Sequence, residues 1–311
     1  MTPPKLILIL SENWTMTSSR DLPSLVRFAV EAEDAGFDAV MVSEHVVLGP
    51  GADARGRPEN PRAYALPGNQ DPATPWPSSV VLLSAVAAVT TRIRLVAGAI
   101  IPPLRHPLLL AKDLATLDLL SGGRLVVQPT VSWHRAEYDA LGVPFASRGA
   151  LLDEHLAAWQ VLWHDTPASF EGSHYRFRDV YLEPKPSRPE GPTLWFGGSS
   201  LHDRLLRRIV TYGRGFNPLG RPEPEDLERL RAAMAEVGRS MGELEMVGGT
   251  RGGFAGADGV ADLAGALSSL PDQVAAGFTS ICIKPSQFVD DGALIGAFCR
   301  EVVARVAALV G

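Results

Sequence analysis

RIRLVAGAIIPPLRHPLLLAKDLATLDLLSGGRLVVQPTVSWHRAEYDALGVPFASRG, from Arg92 to Gly149, reads as a strand, a helix, a second strand and a further helical segment with almost no slack. The strands at Ile93–Ile101 and Arg124–Gln128 are short, apolar and rich in branched residues, as strands covered on both faces must be. Between them Pro107 is suited to the first turn of a helix, and Gly122 and Gly123 to its end. Leu109, Leu110, Leu114, Leu117 and Leu120 are expected to stripe its buried side. The unit is βαβ, whose parallel strands require a right-handed crossover.

The same alternation continues in both directions. Leu6–Leu10 precedes a helix over Leu22–Ala35 closed by Gly36, and Ala39–Val42 precedes one over Ser79–Val89. Beyond the opening block come a helix near Ala150–Trp163, a strand at Thr193–Phe196 and a helix from about Leu201 to Thr211. A short strand at Gly215-Phe216, a helix over Glu223–Val237 and strands at Glu245–Val247 and Ser280–Ile283 complete the pattern. Eight strand-then-helix pairs specify an α/β fold, a (β/α)₈ TIM barrel formed as one domain over residues 1–311. A doubly wound open sheet is the alternative, but no Gly-x-Gly-x-x-Gly follows the first strand.

Two segments stand outside the repeat. Residues 46–77, after strand 2, are dense in proline and glycine and lack periodicity, which predicts a lid or wall over the C-terminal face of the barrel. Residues 170–184 alternate aromatic and polar side chains around Gly172 and read as a hairpin inserted before strand 5.

With 311 residues, 46% hydrophobic and 21% charged, the chain can bury a full core. The net charge of −6, with no basic stripe interleaved with aromatics, argues against nucleic acid. No apolar run reaches membrane-spanning length, and Leu6–Leu10 reads as a strand rather than a signal peptide, so a cytoplasmic location is expected. Cys282 and Cys299 lack metal-ligand spacing and are expected to be buried free thiols; no histidine spacing supports a metal site.

Pro103-Leu104-Arg105-His106-Pro107, Ala111-Lys112-Asp113-Leu114-Ala115-Thr116-Leu117-Asp118 and Ser121-Gly122-Gly123-Arg124 together resemble the bacterial luciferase-like monooxygenase family. The likeness is to its branch that uses the deazaflavin coenzyme F420. The resemblance implies that Ser43-Glu44-His45, at the end of strand 2, stands where relatives carry Asp-His against the cofactor or substrate. His45 becomes the expected proton donor or acceptor, with Glu44 orienting it. It also implies a bulge at Ala97-Gly98-Ala99, often with a non-proline cis peptide, against the cofactor ring. Gly197-Gly198-Ser199 is expected to hold the cofactor phosphate at a helix start capped by Ser200, with Gly215-Phe216 on the same side.

Gln128-Pro129-Thr130-Val131-Ser132-Trp133 departs from the family's glycine-rich segment and keeps only the tryptophan. Thr130 and Trp133 are counted with the cofactor wall, although Trp133 equally suits a filler of the barrel top. His134 and Glu137 read as a solvated helix start, and His106 as a helix cap.

The implied activity is hydride transfer between F420 and a small organic substrate. An FMN-dependent monooxygenase supplied by a flavin reductase is the alternative, and a non-catalytic cofactor-binding barrel the second. A homodimer is the assembly to test.

Overall fold

The computed structural model describes residues 3–310. Eight parallel strands close into a barrel: β1 (Lys5–Ile9), β2 (Ala39–Val42), β3 (Arg94–Ile100), β4 (Leu125–Pro129), β7 (Thr193–Gly197), β8 (Gly215–Asn217), β9 (Glu245–Gly249) and β10 (Ser280–Ile283), which returns to pair with β1. The antiparallel hairpin β5 (Ala168–Glu171) and β6 (Arg176–Val180) lies outside the barrel. It is tied down by the Glu154 carboxylate, which accepts the main-chain N–H groups of Ser173, His174 and Tyr175.

Each helix has a local cause. Asp21 caps α1 (Leu22–Ala35) by accepting the Ser24 amide, and Gly36 ends it in the left-handed conformation at φ 100°. α2 (Ser79–Val89) and α3 (Pro107–Leu120) follow β2 and β3. Residues 135–140 form the short α4 (Arg135–Ala140), and the hairpin's support is α5 (Arg148–His164). His106 caps α3 as expected, its ring nitrogen accepting the Leu108 amide. The stripe on α3 is narrower than the sequence suggested. Leu110, Leu114 and Leu117 are buried, whereas Leu109 and Leu120 are 68% and 63% exposed. The buried face is instead shifted toward Ala111, Ala115 and Asp118, which leaves Leu109 and Leu120 beyond its edge, and α3 packs on α5 as well as α2.

α6 (Asp203–Tyr212) begins two residues later than expected, and its cap is His202, not Ser200. The His202 Nδ1 accepts the Leu205 amide at 3.2 Å. α7 (Pro224–Glu236), α8 (Leu263–Leu267), α9 (Leu270–Ala275) and α10 (Ile295–Val310) complete the outer ring. Cys282 and Cys299 are buried free thiols, and no helix among the described residues is long and apolar enough to cross a membrane.

Alternation along each strand sends every second side chain into the barrel. At its N-terminal end the Arg94 guanidinium donates to both carboxylate oxygens of Glu245 at 2.8 and 2.7 Å and lies over the Trp195 ring. Above this ionic plug sits an apolar layer: Ile7, Ala39, Met41, Val96, Val126, Trp195, Val247 and Cys282. Trp195 fits because its partner in register is Gly215. A β-carbon at Gly215 would come within 2.3 Å of the indole. Gly215→Ala is therefore expected to destabilise the fold by about 1–3 kcal/mol through overpacking. Urea unfolding checks it: the midpoint should fall with the slope unchanged.

Candidate active site

Counting two residues up each strand from the apolar layer gives the next inward positions: Ile9, Ser43, Gly98, Gln128, Gly197, Asn217, Gly249 and Lys284. Three are glycine and four are polar, where barrels ordinarily place branched apolar residues. The mouth of this barrel thus has a floor that is low and lined with hydrogen-bonding groups. Ser43 Oγ donates to the Gly98 carbonyl at 2.7 Å, and Asn217 Nδ2 donates to Gln128 Oε1 at 3.2 Å.

Gly98 begins the expected irregularity. The register of β3 against β4 slips between Gly98 and Ile100, and the Gly98–Ala99 peptide is cis. Ala97 is buried against the helices, so only its backbone faces the mouth. Thr130 continues this wall, its amide donating to the Ile100 carbonyl at 2.8 Å.

His45 stands beside the bulge at the end of β2, and its partner is not Glu44. The His45 Nδ1 lies 2.8 Å from Glu137 Oε1, with Glu137 fully buried. Val46 N donates to Glu137 Oε2 at 2.8 Å and Ser132 Oγ donates to Oε1 at 2.9 Å. Burial alone would raise the Glu137 carboxyl; hydrogen bonds from His45, Val46 and Ser132 outweigh it and hold the group below the ordinary carboxylate range. An ionised Glu137 selects the tautomer with hydrogen on Nδ1 and leaves Nε2 of His45 for chemistry. Trp76 and Trp133 flank the imidazole edge-on at 5.1 and 5.8 Å.

Glu44 turns away into a structural knot. It accepts from Ser79 Oγ at 2.8 Å, the Ile101 amide at 3.1 Å and both terminal nitrogens of Arg105 at 2.7 and 3.2 Å. Adjacent residues of an extended chain point to opposite sides, which separates Glu44 from His45.

His134 and Glu137 are both buried, not solvated as their sequence setting suggested. His134 Nε2 accepts the Gly49 amide at 2.6 Å. Burial pushes the His134 imidazole down, toward the neutral form this bond requires. Gly49 belongs to the segment 46–77, which crosses the mouth. It is fastened on the far side by Asn60 to the Gly256 and Gly259 carbonyls, by Tyr64 Oη to the Thr250 carbonyl and by Arg62 to Asp290.

At the end of β7, Gly197 permits close packing: a β-carbon there would meet Gln128 Nε2 at 2.7 Å. Ser199 and Ser200 follow, exposed, and among the described residues their amides find no protein acceptor. The Gly198 amide donates to the Asn217 carbonyl at 3.2 Å, so the cradle of free N–H donors suited to a phosphate is formed by Ser199 and Ser200. Gly215 and Phe216 do not reach this cradle. Gly215 packs on Trp195 one layer down and Phe216 is buried toward the helices; Asn217 is the residue of β8 that faces the mouth.

The luciferase-like monooxygenase family model matches residues 5–251, most of the barrel. The chain belongs to the luciferase-like monooxygenase family. An uncharacterised Mycobacterium tuberculosis protein is 36% identical over 165 residues, covering 52% of this chain and 56% of that one. The FMNH2-dependent dimethylsulfone monooxygenase of Pseudomonas putida is 31% identical over 202 residues, 64% of this chain and 48% of that one. The chain thus spans about half the length of these curated relatives. Among solved structures, the monooxygenase RslO1 of Streptomyces bottropensis has TM-score 0.68 at 21% identity over 97% of this chain and 99% of its own. An F420-dependent secondary alcohol dehydrogenase has TM-score 0.70 at 15% identity over 98% and 99%. These likenesses establish the luciferase-like barrel.

In this luciferase-like site Glu137, His134, Gln128, Asn217, Trp76 and Lys284 escaped the sequence reading. Gln128 and Lys284 were accessible by counting inward positions from the strands. Glu137 was not, because its burial is made by segment 46–77 folding over it.

A titration of stability isolates Glu137. Its folded carboxyl lies below the unfolded value, so its contribution is complete above the unfolded pKa and is lost as pH falls through the folded one. The stability difference between wild type and Glu137→Gln should be largest near neutrality and shrink below about pH 4. Urea unfolding across a pH series measures it; a constant difference would rule out an ionised Glu137.

Proposed function

We propose that the protein is an F420-dependent oxidoreductase transferring a hydride between the deazaflavin and a small organic substrate. The observation that carries this reading is the His45–Glu137 pair, enclosed by Trp76 and Trp133 beside the Gly98 bulge. The end-to-end likeness to the F420-dependent secondary alcohol dehydrogenase, 98% and 99% of the two chains, supports it.

Gly197, Gly198 and Ser199 would hold the cofactor phosphate, and the backbone of Ala97, Gly98 and Ala99 would lie against the ring, with Thr130 and Trp133 beside it. When bound, the deazaflavin supplies the two-electron chemistry. His45 gives or takes a proton at Nε2 as the substrate oxygen changes charge. Glu137 fixes the ring and stabilises the imidazolium, and Trp76 with Trp133 keeps water from the donor.

A second reading, an FMN-dependent monooxygenase fed by a flavin reductase, is favoured by the 31% identity to the FMNH2-dependent dimethylsulfone monooxygenase. Parallel titrations with F420 and FMN, followed by absorbance and fluorescence, separate the two. Tight FMN binding without F420 binding would select the second reading. With the cofactor that binds, His45→Ala is expected to lower turnover by about 10²–10⁴-fold with cofactor affinity retained. Unchanged turnover would remove His45 from the mechanism.

A further inference from the structure

Lys284 is the one charged residue among the eight inward positions of the floor, and it is 1% exposed. It stands at the end of β10, where its ammonium donates to the Ala63 carbonyl of segment 46–77 at 3.0 Å. Its charge lies 5.7 Å from the centre of the Tyr64 ring. An ammonium carries three donors, and this carbonyl is the sole protein acceptor found among the described residues. Burial pushes the Lys284 ammonium down and the neighbouring Glu12 pushes it back up, so an anion bound beside it would favour the charged form.

Its neighbourhood has the shape of a binding arc. Around the barrel the order β10, β1, β2 places Lys284, Glu12 and His45 on adjoining strand ends. Glu12, half-buried just after β1, is close enough for its charge to act on both Lys284 and His45. Burial pushes the Glu12 carboxyl up, toward the neutral form that can itself donate a hydrogen bond. The phosphate cradle lies across the barrel from this arc, after β7. A cofactor anchored there would extend its ring toward Gly98 and leave the arc to the substrate.

We propose that Lys284 is the substrate-recognition residue, and that its ammonium takes a carboxylate of the organic substrate in place of the Ala63 carbonyl. The substrate class is then a carboxylic acid whose reacting carbon lies between Lys284 and His45, with Glu12 beside the bound carboxylate. The assignment of this arc to substrate rests on the hydride-transfer reading, but its test does not need turnover.

Hexanoate and hexanol, equal in chain length and differing in charge, are titrated into the full chain without cofactor. Quenching of tryptophan fluorescence reports binding, because Trp76 and Trp133 flank the neighbouring His45. Wild type should bind hexanoate about tenfold or more tighter than hexanol, as charge-assisted hydrogen bonding requires. Lys284→Met should lose that preference with its hexanol affinity unchanged, and Lys284→Arg should keep it. A lysine that merely fastened the loop would shift both ligands together. Equal affinities in wild type, no response to hexanoate, or a preference surviving in Lys284→Met would each overturn the proposal. Failure of F420 to bind would overturn the hydride-transfer reading and leave this result standing.

Discussion

One buried carboxylate organises the mouth of this barrel. Glu137 collects the imidazole of His45, the amide of Val46 and the hydroxyl of Ser132, and so joins the ends of β2 and β4 to the root of the segment that closes over them. A charge in that position is tolerable only because every oxygen is hydrogen-bonded. Those bonds in turn set the tautomer of His45, the path of residues 46–49 and the position of Trp133. The site is thereby preorganised before any ligand arrives, which is what electrostatic catalysis asks of its donors.

The barrel separates two jobs along its axis. At the N-terminal end Arg94 and Glu245 form an ionic plug, and above it Trp195 and seven smaller apolar residues make a dry layer. Only the last inward positions change character, to glycine or a polar side chain on every strand but β1, which ends in Ile9. Apolar burial of the layers beneath supplies the stability that this polar floor forgoes.

Much of the architecture was written locally. The alternation of branched runs with Pro107-started and Gly36-ended helices needed no tertiary context, and neither did the proline closing β4, whereas the bulge at Gly98 follows from the family resemblance rather than from the glycine alone. The site was less legible. Glu44 was given the role that belongs to Glu137 because the two compete on sequence proximity to His45, whereas the fold decides by direction: Glu44 points to Arg105, and Glu137 reaches His45 from a different strand end. The segment of Gly215 and Phe216 ends at the mouth, but Gly215 lies two residues, about 7 Å, below Asn217 in the next layer, and Phe216, one residue below it, faces the helices. His134 and Glu137 looked solvated because nothing in a polar helix start announces the loop that will bury it.

Three fastenings of that loop use its main chain. Val46 and Gly49 offer backbone N–H groups to Glu137 and His134, and Ala63 offers a backbone carbonyl to Lys284. The side chains at these three fastenings sit on the barrel, and at Gly49 the approach is so close that a β-carbon would come within 2.6 Å of the Ala136 β-carbon. The barrel's own side chains thereby set the path of the loop across the mouth, and they do so through its main chain.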